Sequence, residues 1–224
     1  MQSAFFITGT DTGVGKTVLT ALLARHLQQR GIAVVALKPV ASGGRTDARI
    51  LRAALDGILT LDEINPWHFR AALAPLLAAR CERRTVTLTG VLAHVRTMQR
   101  RFDAVVVEGA GGLLSPLGEN FDSRDLMVAW PAIPIVIGPN RVGVVNQMRL
   151  TLAALPRAVA ARTRMVLMSP PRLDAAAKTN AGLLAEFFRT DRIFTMPWLG
   201  ERFEVALALK SRRVRRTLQA LIQT

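Results

Sequence analysis

The 224-residue chain is expected to fold as an α/β protein, a three-layer sandwich around a mostly parallel sheet, with residues 1–224 forming one domain. Three observations predict this. Short apolar runs alternate with longer segments of helical periodicity along the whole chain. Several of those runs, such as Ile32–Leu37, are almost unbroken, as in parallel strands covered on both faces. No internal repeat, low-complexity stretch or linker interrupts the alternation.

The elements follow in order. Phe5–Ile7 is an apolar run expected as the first strand, and a Gly/Thr/Asp loop leads from it into Gly15-Lys16-Thr17. Thr17–Gln29 has helical spacing (Val18, Leu19, Leu22, Leu23, Leu27) and stops at Gly31. Ile32–Leu37 is the second strand and ends in Lys38-Pro39-Val40-Ala41-Ser42-Gly43-Gly44, read as a loop. Asp47–Leu55 reads as helix, Thr60–Phe69 as irregular, and Ala71–Arg80 and Val91–Arg100 as helices. Ala104–Val107 is the third strand, leading into Glu108-Gly109-Ala110-Gly111-Gly112. Leu113–Asn120 reads as a loop, Ser123–Trp130 as helix, Ile133–Gly138 as the fourth strand and Val142–Leu155 as helix. Met165–Met168 is the fifth strand, followed by Ser169-Pro170-Pro171 and a helix over Leu173–Arg189. Arg192–Thr195 is a short strand before Met196-Pro197-Trp198-Leu199-Gly200, and a basic helix closes the chain.

Composition narrows the function classes. Half the residues are hydrophobic, yet no apolar run approaches the ~20 residues of a membrane span. The first expected strand begins almost at once, so no signal peptide is expected. The single cysteine, Cys81, excludes an internal disulfide and a metal-binding cysteine cluster, and a cytoplasmic location is expected. The formal charge is +14, carried almost wholly by arginine, with only four lysines (Lys16, Lys38, Lys178 and Lys210). Two of these stand where phosphates are expected, consistent with a need for compact charge there. The arginines are scattered and aromatics are few, so anionic substrates explain the charge better than nucleic acid. The cluster Arg212, Arg213, Arg215 and Arg216 reads as a solvated helix face.

The strongest chemical signal is Phe5–Thr17, FFITGTDTGVGKT. Strand, glycine loop and helix in that order bring backbone N–H groups and a helix N-terminus to a phosphate. Gly13 and Gly15 permit close approach, Lys16 supplies charge, and the Thr17 hydroxyl can ligate Mg²⁺. The usual spacing, G-x-x-x-x-G-K-[ST], places its first glycine at position 10; here that residue is Thr10 and the glycine is Gly9. Other strand ends carry Lys38, Ser42 and Asp47, then Glu108, and open α/β sheets bind ligands at this edge. Asp47 and Glu108 could complete a metal shell; Asp47 also fits a helix-cap carboxylate, Lys38 a snorkelling lysine and Ser42 a turn hydroxyl.

GTDTGVGKT, KPVASG, VVVEGAGGLLSPL and PWL, in this order, resemble the dethiobiotin synthetase family of P-loop NTPase-type proteins, displaced glycine included. The similarity runs from Phe5 to about Leu199. It implies an ATP- and Mg²⁺-dependent cyclo-ligase of biotin biosynthesis. In that reaction 7,8-diaminononanoate captures CO₂ (or bicarbonate) as a carbamate, the carbamate takes the γ-phosphoryl group of ATP, and the second amine closes the ureido ring. The resemblance assigns catalysis to Lys16, Lys38 and Ser42, and the metal to Thr17, Asp47 and Glu108. It assigns nucleotide binding to Thr12, Gly13, Val14, Gly15, Lys16, Thr17, Glu108, Gly111, Ser169, Pro197, Trp198 and Leu199. Ser169 stands where the family usually has asparagine, and Gln147 where it commonly has histidine. A homodimer is also implied, with an anion seat near Gly143–Asn146.

Two other classes share the glycine loop. A regulatory ATPase of the partitioning or Min type would suit the positive charge, but it carries an extra lysine where this chain has Asp11. A relative with a drifted substrate or nucleotide would keep the loop and change the pockets around it.

Overall fold

A computed structural model describes residues 3–223. From the amino end the elements are β1 (Ser3–Gly9), α1 (Lys16–Gln29), β2 (Val34–Leu37), β3 (Val40–Ser42), α2 (Thr46–Ala54), α3 (Leu61–Ile64), β4 (Trp67–Phe69), α4 (Pro75–Cys81) and α5 (Leu88–Gln99). Next come β5 (Ala104–Glu108), β6 (Pro116–Gly118), β7 (Phe121–Asp122), α6 (Ser123–Ala129), β8 (Ile133–Pro139), α7 (Val144–Ala153) and α8 (Arg157–Ala160). The chain ends with β9 (Arg164–Met168), α9 (Ala175–Phe188), β10 (Ile193–Met196), α10 (Val205–Ala208) and α11 (Arg212–Gln223).

Six strands form the central sheet in the order β10-β9-β8-β1-β5-β2. Every neighbouring pair in it is parallel, and with the antiparallel β6–β7 pair outside it the strand pairing is mostly parallel, as expected. The apolar runs explain why: β5 (AVVVE) is buried at every residue, and α1 and α5 both pack against it. Parallel strands need crossover helices, and these put the carboxyl ends of β1, β2, β5 and β9 on one edge. No helix among the described residues is long and apolar enough to cross a membrane.

Three regions differ from the sequence expectation. The stretch after Lys38 is not all loop: β3 pairs in parallel with β4 (Val40 with Trp67, Ser42 with Phe69), inside the segment read as irregular. The same segment holds α3, started by a capping box in which Thr60 and Glu63 satisfy each other's backbone N–H. The loop read over Leu113–Asn120 carries β6, paired antiparallel with β7. The basic terminal helix is split into α10 and α11. Strands of two or three residues show no period, so pairing with a distant partner decides them. Arg212, Arg213, Arg215 and Arg216 are exposed on α11 while Val214, Leu218 and Leu221 are buried, which is the solvated face expected.

Trp130, just past α6, is among the largest fully buried side chains, and its indole N–H donates to Gln99 Oε1 at 3.1 Å. Trp130→Ala is expected to cost about 3–5 kcal/mol in urea unfolding, and a loss below about 1 kcal/mol would contradict this packing.

Candidate active site

The glycine loop joins β1 to α1. Gly15 precedes the helix at φ +100°, a conformation that disfavours any side chain, and Gly13 is also left-handed. The displaced glycine has a steric reason: a Cβ on Gly9 would lie 2.6 Å from Val14 Cγ2. A residue larger than glycine at position 9 would therefore push Val14 and the loop outward. Lys16 opens α1, nearly buried at 6% exposure, and its ammonium donates to the Asp11 carbonyl at 2.7 Å.

Beside this loop, three chain-distant segments meet. Lys38, at the end of β2, places Nζ 2.6 Å from Glu108 Oε1 and 2.5 Å from Asp47 Oδ2. Thr17 donates to the same Glu108 oxygen at 2.8 Å. Glu108 is 1% exposed, and its other oxygen, Oε2, has no hydrogen-bond partner among the described residues. A buried carboxylate oxygen left unpaired is costly unless a cation or donor meets it. With a second carboxylate and the Thr17 hydroxyl beside it, the donor set is all oxygen and suits Mg²⁺ better than a softer metal. No cluster of three or more His, Cys, Asp or Glu that could hold a metal occurs among the described residues. Phosphate oxygens and water would have to fill the remaining positions.

Electrostatics in this cluster are finely opposed. Burial works against the Lys38 ammonium, but Glu108 and then Asp47 outweigh it and raise its pKa. Burial likewise works against the Asp47 carboxylate, and the Lys38 ammonium outweighs it and lowers its pKa. Lys16 lacks so close a carboxylate. Burial and then the Lys38 charge push its pKa down to about 8, against weaker opposition from Glu108 and Asp47.

These groups line a cavity of about 750 Å³, together with Thr12, Gly13, Gly15, Ser42 and Gly111. The Ser42 hydroxyl donates to the Leu73 carbonyl at 2.6 Å, fixing the opposite wall formed by Ala72–Pro75. A second cavity, of about 380 Å³, lies on the other side of Gly13 and Gly15. It is lined by Val14, Ser169, Pro197, Trp198 and Leu199, so these expected nucleotide-binding residues fall together. Glu108 and Gly111 belong to the first cavity and not to this one.

Some supporting residues escaped the sequence reading. Asn65 is fully buried and donates to the Lys38 carbonyl at 2.8 Å, while the Lys38 N–H donates to Ile64 at 3.0 Å. The segment read as irregular is thus the brace behind Lys38, and the Thr60–Glu63 capping box was its legible signal. Ser115 accepts from the Gly112 N–H at 2.8 Å and steadies the turn after β5. Asn140 lines the second cavity, with its amide occupied by Ala177 and Asn180.

A family model described as "AAA domain" matches residues 3–202. The ATP-dependent dethiobiotin synthetase BioD of Anaeromyxobacter dehalogenans (strain 2CP-C) is 38% identical over 223 residues, covering 97% of this chain and 98% of that protein. The protein of the same name from Anaeromyxobacter sp. (strain Fw109-5) is 44% identical over 179 residues, 78% of each chain. Among solved structures, a ParA family ATPase from Chlorobium tepidum TLS superposes with a TM-score of 0.61 at 12% identity, covering 100% of this chain and 98% of that one. The Aquifex aeolicus MinC:MinD cell division protein complex gives 0.60 at 16% identity, covering 99% and 96%. At such identities the structural likeness speaks for the fold alone. The sequence likeness spans nearly the whole chain, and on it the chain belongs to the dethiobiotin synthetase family.

Proposed function

We propose that this chain is an ATP- and Mg²⁺-dependent cyclo-ligase that forms the ureido ring of dethiobiotin from 7,8-diaminononanoate and CO₂. The observation that carries the reading is the convergence of Lys16, Lys38, Asp47, Glu108 and Thr17 on one cavity beside the glycine loop, in a chain of this family. In the reaction, one amine of the substrate adds to CO₂ and loses a proton, giving a carbamate. A carbamate oxygen attacks the γ-phosphorus, and the bond from that phosphorus to ADP breaks. The second amine then attacks the carbonyl carbon of the resulting mixed anhydride, closing the ring and expelling phosphate.

Such transfer is mostly positioning and charge neutralisation. Backbone N–H groups of Gly13–Thr17 and the Thr12 side chain cradle the phosphates, and Lys16 neutralises the outer ones. Lys38, held by Glu108 and Asp47, stays protonated and would orient the carbamate and γ-phosphoryl oxygens, with Ser42 on β3 lining the same cavity. Thr17, Asp47 and Glu108 would hold Mg²⁺, which supplies further neutralisation of the phosphate oxygens. The cavity around Ser169, Pro197, Trp198 and Leu199 takes the nucleobase. A homodimer would bring the start of α7 (Gly143–Asn146) of one subunit to the substrate tail carboxylate of the other. Val142 and Leu150, 79% and 64% exposed there, supply apolar area for such an interface. A cytoplasmic location accords with the single exposed cysteine.

Two experiments test the reading. Phosphate release that requires ATP, Mg²⁺, bicarbonate and the diamine together is expected, and Lys16→Ala should lower kcat by about 10²–10³-fold without loss of fold. Retained turnover in that variant would contradict the role of the loop. Because the Lys16 charge is lost as pH rises through about 8, affinity for the triphosphate should fall there by up to about tenfold per pH unit. The decline should end at the higher pKa Lys16 has beside bound phosphate. Calorimetric affinities that stay flat between pH 7 and pH 9.5 would contradict it.

A further inference from the structure

The smaller cavity has few polar side chains with which to tell one base from another. Four of its lining residues are prolines (Pro139, Pro170, Pro171 and Pro197), which offer no backbone N–H. The Asn140 amide is committed, its nitrogen donating to Ala177 and its oxygen accepting from Asn180. The backbone N–H of Ser169 is spent on Met196. Arg141 and Trp198 are exposed at the mouth. Among the side chains, what remains inside is the Ser169 hydroxyl. Ser169 is 7% exposed, and its Oγ is buried with no hydrogen-bond partner among the described residues.

A hydroxyl rotates and can donate or accept, so it can meet the amino edge of adenine or cytosine and the keto edge of guanine or uracil alike. A carboxamide would instead offer a fixed donor–acceptor pair, the arrangement that grips adenine at two points. Stacking on prolines and Trp198 is indifferent to base identity, since every base has a π-face.

We propose that this cavity accepts purine and pyrimidine nucleoside triphosphates with closely similar affinities, and that Ser169 is the residue setting this tolerance. The proposal rests on the reading of the site as a triphosphate-dependent ligase, and adds to it the class of phosphoryl donor.

Calorimetric titration of the whole chain with the Mg²⁺ complexes of ATP, CTP, GTP and UTP tests it, in the wild type, Ser169→Asn and Lys16→Ala. The expected wild-type affinities fall within about tenfold of one another, and Ser169→Asn shifts the panel toward ATP by about tenfold, the worth of one or two hydrogen bonds. A wild-type preference for any one base of more than about tenfold overturns the proposal. If Lys16→Ala still weakens all four nucleotides in that case, the ligase reading stands without it. An unshifted panel in Ser169→Asn removes Ser169 from the role. Failure of all four nucleotides to bind the wild type overturns proposal and ligase reading together. Should Ser169→Asn not fold, the wild-type panel decides the tolerance by itself.

Discussion

An ammonium group enclosed between two carboxylates organises the working edge of this protein. Lys38 is 5% exposed and Glu108 1%, and neither charge would be tolerated there alone. Removing one partner of such a pair typically costs about 3–5 kcal/mol, because the other is left buried and uncompensated. The cluster therefore constrains the fold: the ends of β2 and β5 and the first turn of α2 must keep their relative positions within hydrogen-bond tolerance. Parallel pairing of β2 with β5, Leu37 beside Val107, supplies that register one residue short of the ion pair itself.

The two lysines beside the glycine loop differ in kind. Lys38 is tied by ion pairs on both sides and braced from behind by Asn65, so its charge and position are settled by the protein. Lys16 rests on a single backbone carbonyl, and its pKa is depressed to about 8. That combination favours a group whose charge finds its full counterpart only in an anionic ligand. One lysine is preorganised and the other is poised, which suits a reaction in which two anions must be brought together.

The sequence made much of this edge readable, because phosphate chemistry at a strand end needs local features that short motifs record. The glycine run, Lys16-Thr17, and a carboxylate ending the Val105–Val107 run at Glu108 were all visible before any fold was known. The parallel sheet was visible as well, since its strands are near-continuous apolar runs. What was hidden depends on contacts distant in the chain. β3 and β4 are three residues each and carry no period, so Thr60–Phe69 looked irregular although it braces Lys38 through Asn65. Ser42, assigned to catalysis by the family resemblance with a turn hydroxyl as the alternative, ties a strand to the opposite cavity wall at Leu73, a contact no local pattern records. Similarly, nothing in Asn140 announces that Asn180, forty positions away, occupies its amide oxygen.

The most direct test of the central claim is a crystal structure of the chain with Mg²⁺ and a non-hydrolysable ATP analogue. The account predicts the γ-phosphate within reach of both the Lys16 and Lys38 ammonium groups, the metal on Thr17 with Glu108 or Asp47, and the base against Ser169. A triphosphate lodged away from the glycine loop, or one bound there with Lys38 and Glu108 taking no part, would contradict it.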